Sequence, residues 1–189
     1  MKKELPQDGN VEIGNLNGYE LIGIKYSDTG HSSYFSAVFM LLWLGGWFLG
    51  FKSALTQLLD GQFSLFLMFW LSAWTVAGVL VVCTIIRLFR KPVPEKILLN
   101  KPSLSIDTGI PPFRMNDKRN SQMEYIKDLF AKSKRFEISA EEIKSLSLRE
   151  SEKGNRLTVD KGAHRIEIAK SATEIEREWL YNHIKQNYS

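Results

Sequence analysis

Few side chains in this sequence have the type and spacing to do chemistry. There are three histidines, His31, His164 and His183, and one cysteine, Cys83. No histidine pair has a metal-ligand spacing and no second thiol accompanies Cys83, so neither a zinc-type site nor an intramolecular disulfide is expected. Cys83 sits inside an apolar run and reads as a small apolar side chain. Carboxylates cluster at Glu141-Glu142 and at Glu174, Glu176 and Glu178. The second cluster falls in the first turns of a helix, where negative charge favours the positive end of the helix dipole. Both clusters read as solvated structure and not as an acid–base pair. There is no glycine-rich phosphate loop. The expectation is a non-enzymatic protein with no metal and no cofactor.

Tryptophan spacing is more informative. Trp43-Leu44-Gly45-Gly46-Trp47 is echoed by Trp70-Leu71-Ser72-Ala73-Trp74. The match extends outward, with Phe39 answering Phe66, Leu42 answering Phe69 and Gly50 answering Ala77. At about 100° per residue, Trp43, Gly46, Trp47 and Gly50 share one helical face, and Trp70, Ala73, Trp74 and Ala77 share the equivalent face of a second helix. Both faces carry a small-xxx-small pattern, which lets helix backbones approach closely. The small residues are expected to form a helix contact, with the indoles packed around it on each other or on a partner; indoles that simply face lipid are the alternative. In an antiparallel pair Trp43 would lie at the depth of Trp74, and Trp47 at that of Trp70.

The elements that must position these residues are two apolar segments. Residues 34–51 and 63–86 contain no charged side chain. A hydrocarbon core about 30 Å thick needs roughly 20 apolar residues in a helix, so both segments are long enough to cross it. A polar stretch precedes the first segment, no small-residue cleavage site follows it, and the second comes at once, which argues against a signal peptide. The spans carry no ionisable residue that would mark an ion path. The loop Lys52 to Gln62 has one basic residue, whereas Arg87, Arg90, Lys91 and Lys96 crowd the exit of the second span. Basic residues are retained on the cytoplasmic side, which predicts a multi-pass protein with both termini cytoplasmic. Arg87, Arg90 and Lys91 are membrane-interface candidates, each worth about 1 kcal/mol against anionic lipid. Residues 87–189 hold 21 Lys+Arg against 15 Asp+Glu, but no basic stripe with stacking aromatics points to nucleic acid.

The chain divides into a polar N-terminal arm (1–33), a two-helix transmembrane hairpin (34–91) and a C-terminal domain (92–189). The arm reads as a loose hairpin turning at Gly14 to Gly18, or as a tail docked on the C-terminal domain. His31 reads as polar trim before the first span. Pro92 and Pro94 stop the second helix. Short strands are then predicted at 97–99, 104–106, 136–138, 143–148, 156–159 and 165–168 from alternating apolar residues. Lys153-Gly154-Asn155 and Lys161-Gly162-Ala163-His164 read as hairpin turns. Ile110-Pro111-Pro112-Phe113 is irregular, because its prolines cannot serve a central ladder. Residues 116–135 read as a polar excursion between strands, with a basic amphipathic helix on the membrane surface as the second reading. A C-terminal helix opens on a capping box at Thr173 to Glu176 and carries an apolar stripe of Ile175, Trp179, Leu180, Ile184 and Tyr188.

Short antiparallel strands followed by one amphipathic helix resemble a pleckstrin-homology-like domain, which implies an α+β fold whose sheet is closed by the C-terminal helix, with Trp179 as the main wedge. Together with the Trp-Leu-small-small-Trp phrases, the basic exit and the ending Ile166-Glu167-Ile168-Ala169-Lys170 to Glu174-Ile175-Glu176, this resembles small membrane proteins of the bacterial inner membrane. The layout is also similar to the photosystem I assembly factor of thylakoids, in architecture and without any matching functional residue. The expectation is an accessory, scaffold or assembly subunit of a membrane complex, in contact with the bilayer and with a membrane-protein partner or a second copy of itself. The alternative is a membrane-anchored module that senses lipid headgroups.

Overall fold

The computed structural model describes residues 9–26, 32–61, 64–113, 122–151 and 154–188. His31 and Lys153 lie outside them, as do residues 114–121. The described residues fall into two units: a β-rich one drawn from 1–27, 92–111 and 131–189, and a helical one drawn from 28–91 and 112–130.

The helical unit contains α1 (Ser32–Leu59), α2 (Leu65–Phe89) and the short α3 (Gln122–Leu129). Both long helices are long and apolar enough to cross a membrane. At about 1.5 Å per residue, α2 alone reaches some 37 Å. α2 begins at an extended Ser64, and its C-terminal turn carries Arg87, a favourable sign for the negative end of the dipole. Within the excursion expected at 116–135, residues 122–129 are helical, which agrees with the second reading in secondary structure only.

The β-rich unit starts with a hairpin, β1 (Val11–Leu16) and β2 (Tyr19–Ile24). Asn17 and Gly18 both have positive φ, at 53° and 85°, the geometry of a two-residue hairpin turn that Asn-Gly favours. The turn is therefore tighter than Gly14 to Gly18, and Gly14 and Asn15 are strand residues. The hairpin continues without a break into β3 (Glu95–Leu99), β4 (Leu104–Asp107) and β5 (Arg135–Ile138), all antiparallel and in sequence order. Ile22, Ile97 and Ile106 stand opposite one another across three strands, and all three are buried.

A second sheet holds β6 (Ser147–Arg149), β7 (Arg156–Lys161) and β8 (His164–Ile168). The predicted strand at 143–148 is realised only at its end. Its start is a helical turn, α4 (Ala140–Ile143), whose capping box joins Ser139 and Glu142. The strands form two separate meanders and not one curled sheet. α5 (Glu174–Tyr188) packs Trp179, Leu180 and Ile184 into a core shared with residues of both sheets. Ile175, placed on the apolar stripe by sequence, is exposed, and Glu176 is buried in its stead.

Candidate functional site

On α1 the less exposed positions are Ser36, Ala37, Met40, Leu44, Trp47, Gly50, Phe51, Ala54 and Leu58, and Ser36 and Gly50 apart they form one series. They recur at alternating steps of three and four, the period of an antiparallel helix seam. Trp47 occupies its middle. Its indole Nε1 donates to the Trp74 carbonyl oxygen at 2.9 Å, and Trp74 Nε1 lies 3.5 Å from the Trp47 oxygen. The Trp74 carbonyl already serves the α2 ladder, in which residue 78 is the donor. A side chain at position 78 would cover its second lone pair, and position 78 is glycine. A Cβ built there would sit 2.3 Å from the Trp47 ring. Gly78 thus admits the indole and leaves the carbonyl open to it, which satisfies an N–H that apolar surroundings would otherwise strand.

The other tryptophans extend this seam. Trp70 stacks on Trp74 at 4.7 Å between centroids, and Trp43 lies 6.1 Å from Trp74 at a tilt. Trp47 stacks on Phe51 at 5.2 Å. Trp47 therefore lies at the depth of Trp74, one helical turn from the Trp70 level read from the repeat. The small residues also stand elsewhere than expected. A Cβ at Gly46 or Gly50 would meet nothing within 4 Å, Ala73 is exposed, and Ala77 is half-buried. Close approach occurs at Gly78, which the repeat concealed because its counterpart twenty-seven residues earlier is Phe51. Toward the start of α1, an apolar cleft of about 460 Å³ is lined by Phe35, Phe39, Met40, Trp43 and Val81.

A second cluster fastens α3 to the end of α2. The Tyr125 and Thr84 hydroxyls are 2.6 Å apart, and Thr84 Oγ1 also donates to the Leu80 carbonyl at 2.7 Å. Arg87 donates from Nε to the Asp128 carbonyl at 3.1 Å and lies over the Phe113 ring, whose edge meets Tyr125. Thr84 and Arg87 are both buried. Arg87 was expected at the lipid headgroups; it is engaged by α3, while Arg90 and Lys91 are exposed.

In the β-rich unit the carboxylates are structural. Glu176 closes the capping box of α5, accepting from Thr173 N at 2.6 Å while its own N–H reaches Thr173 Oγ1 at 3.4 Å. Its other oxygen accepts from Val11 N at 3.1 Å and from Asn10 N. One buried carboxylate thereby ties the first strand to the last helix, and it is not the solvated group read from sequence. Glu95 accepts from Ala169 N at 2.8 Å and Lys170 N at 3.2 Å. Burial pushes the Glu95 carboxyl above its ordinary value, against these two bonds that favour its charge. His183 stacks on Trp179 and meets Glu20 of β2 at 2.7 Å, and His164 is exposed at the start of β8. Among the described residues no three His, Cys, Asp or Glu side chains gather as a metal site.

These features define a class: two apolar helices of membrane-spanning length followed by an antiparallel α+β unit with a C-terminal helix. No family model, no curated protein and no solved structure matches the chain.

Proposed function

We propose that this is a non-enzymatic integral protein of the bacterial inner membrane, with both termini cytoplasmic, acting as a scaffold or assembly subunit. The single observation that carries this reading is the division of labour on α1. One face is spent on α2 through Trp47. A neighbouring face presents exposed Gly46 and half-buried Gly50, where an added Cβ would meet nothing within 4 Å, flanked by the exposed rings of Phe39 and Trp43. Such a face lets another helix approach closely. The pleckstrin-homology-like reading of the β-rich unit is supported by short antiparallel strands and a terminal helix packed into their core, while the two separate sheets depart from the single closed sheet it implies. Several basic side chains there are paired within the fold, Arg165 with Asp160, Arg156 with Glu167 and Arg135 with Asp107, which favours a scaffold over a headgroup sensor.

The test is the size of the full-length protein extracted in a mild detergent or into lipid nanodiscs. A protein mass, after subtraction of bound detergent or lipid, larger than the 21.7 kDa chain and dispersed by Gly46→Leu with Gly50→Leu, is the expected result. A monomer with no companion, or an assembly indifferent to both substitutions, contradicts the reading.

A further inference from the structure

We infer that α3 is an interfacial helix, held on α2 so that Met123, Ile126 and Phe130 enter the bilayer at the acyl–headgroup boundary. The inference rests on the membrane reading and adds a third contact with lipid. Met123, Ile126 and Phe130 recur at steps of three and four, which places them on one face, and the Phe130 N–H bonds to Ile126 O to extend the helix past Leu129. They are 63%, 43% and 59% exposed, whereas Leu129 is 5% exposed. Tyr125 and Leu129 lie on the adjoining strip, and Tyr125 is bonded to Thr84. The apolar surface of α3 thus has an inner half spent on protein contacts and an outer half left open. Glu124 and Asp128 stand on the far side, and Lys127 borders Met123, where its stem can lie along lipid with the ammonium among headgroups.

The occupant follows from where α3 is held. Its contacts are Thr84 and Arg87, in the final turns of α2. The stretch Leu65–Thr84 has no charged side chain and spans ~30 Å in helix, one hydrocarbon thickness. The outer half of α3 therefore begins where the hydrocarbon ends. Arg90 and Lys91, exposed just beyond, suit anionic headgroups at that level. A helix with one apolar face and a charged opposite face lies in this plane at a depth of roughly 5–10 Å.

The experiment uses the full-length chain on a Cys83→Ser background, with single cysteines at 123, 126, 130, 124 and, as a mid-span control, Val76→Cys. Each carries an environment-sensitive fluorophore and is reconstituted into vesicles of phosphatidylcholine and phosphatidylglycerol containing lipids quenched at shallow or deep acyl positions. Labels at 123, 126 and 130 are expected to be quenched by the shallow lipid about twofold more than the label at 124, as an interfacial helix requires, and Val76 by the deep lipid. Deep quenching at Val76 with equal, weak quenching at 123, 124, 126 and 130 overturns the inference and leaves the membrane reading standing. An unquenched Val76 removes both.

Discussion

The helical and β-rich units share one device for satisfying polar groups and differ in a second. In both, side chains donate to backbone carbonyls: Trp47 reaches the carbonyl of Trp74, and Ser72, Thr75 and Thr84 turn their hydroxyls back on the carbonyls four residues earlier, while Tyr26, Arg177 and Tyr188 do the same in the β-rich unit. The β-rich unit adds two buried carboxylates, Glu176 and Glu95, which gather the backbone N–H groups of Asn10, Val11, Thr173, Ala169 and Lys170. A carboxylate accepts several N–H groups at once but carries a charge that low-dielectric surroundings penalise. A second bond to a helix carbonyl introduces no charge, so it is the device compatible with a hydrocarbon environment.

The contrast can be broken most forcefully at Glu176. Glu176→Ala leaves three N–H groups without their acceptor and should cost about 3 kcal/mol or more. The check is thermal unfolding of the detergent-solubilised protein followed by far-ultraviolet circular dichroism, with early proteolysis beside Asn10. In the helical pair the corresponding break is Gly78→Leu, which drives a side chain into the Trp47 ring and should cost about 1–3 kcal/mol. Its readout, on the Cys83→Ser background, is loss of a bifunctional maleimide crosslink between cysteines at Tyr34 and Phe89, whose rings are 6.2 Å apart. Trp47→Phe sharpens the result, because it keeps an aromatic ring and removes only the N–H; it should cost about 1 kcal/mol.

The smallest effect is expected at Asp107. Partial burial raises its carboxyl, but bonds from Ser133, Arg135 and Gly109 N prevail and hold it below its ordinary value. A depressed carboxylate contributes stability above its unfolded value, about 3.9, and loses it as pH falls through the folded value. Asp107→Asn should therefore be less stable than the parent at neutral pH by under about 1 kcal/mol, since Arg135 is largely solvated. That gap should close as pH falls below the unshifted carboxylate value, about 3.9, in unfolding curves recorded across pH.

Much of this architecture was legible where one local rule dominated. The two apolar segments, the strands at 97–99, 104–106, 156–159 and 165–168, and the Thr173 to Glu176 box all follow from period, length or capping. What escaped was set by a partner distant in sequence. Gly78 looks like any glycine in an apolar helix until an indole from α1 is placed on it. Ile175 and Glu176 exchange burial because the N–H groups of Asn10 and Val11 need an acceptor, a requirement that no reading of α5 alone could contain. The Tyr125 hydroxyl and the Asp128 carbonyl anchor α3 on Thr84 and Arg87, so eight residues too short to hold a helix alone are helical. Two local signals were present in the sequence: Asn17-Gly18 as a two-residue turn, and Ser139 with Glu142 as a capping box in the gap between the strands predicted at 136–138 and 143–148.

The central claim is that α1 and α2 cross the bilayer as a hairpin. Its most direct test is labelling with a membrane-impermeant thiol reagent in intact cells, then in opened cells, on the Cys83→Ser background. Gln57→Cys, at the α1 end near the turn, should label in intact cells, and Asn187→Cys in α5 only once the membrane is opened. Labelling of both cysteines from the same side would contradict two crossings with the C-terminal unit in the cytoplasm.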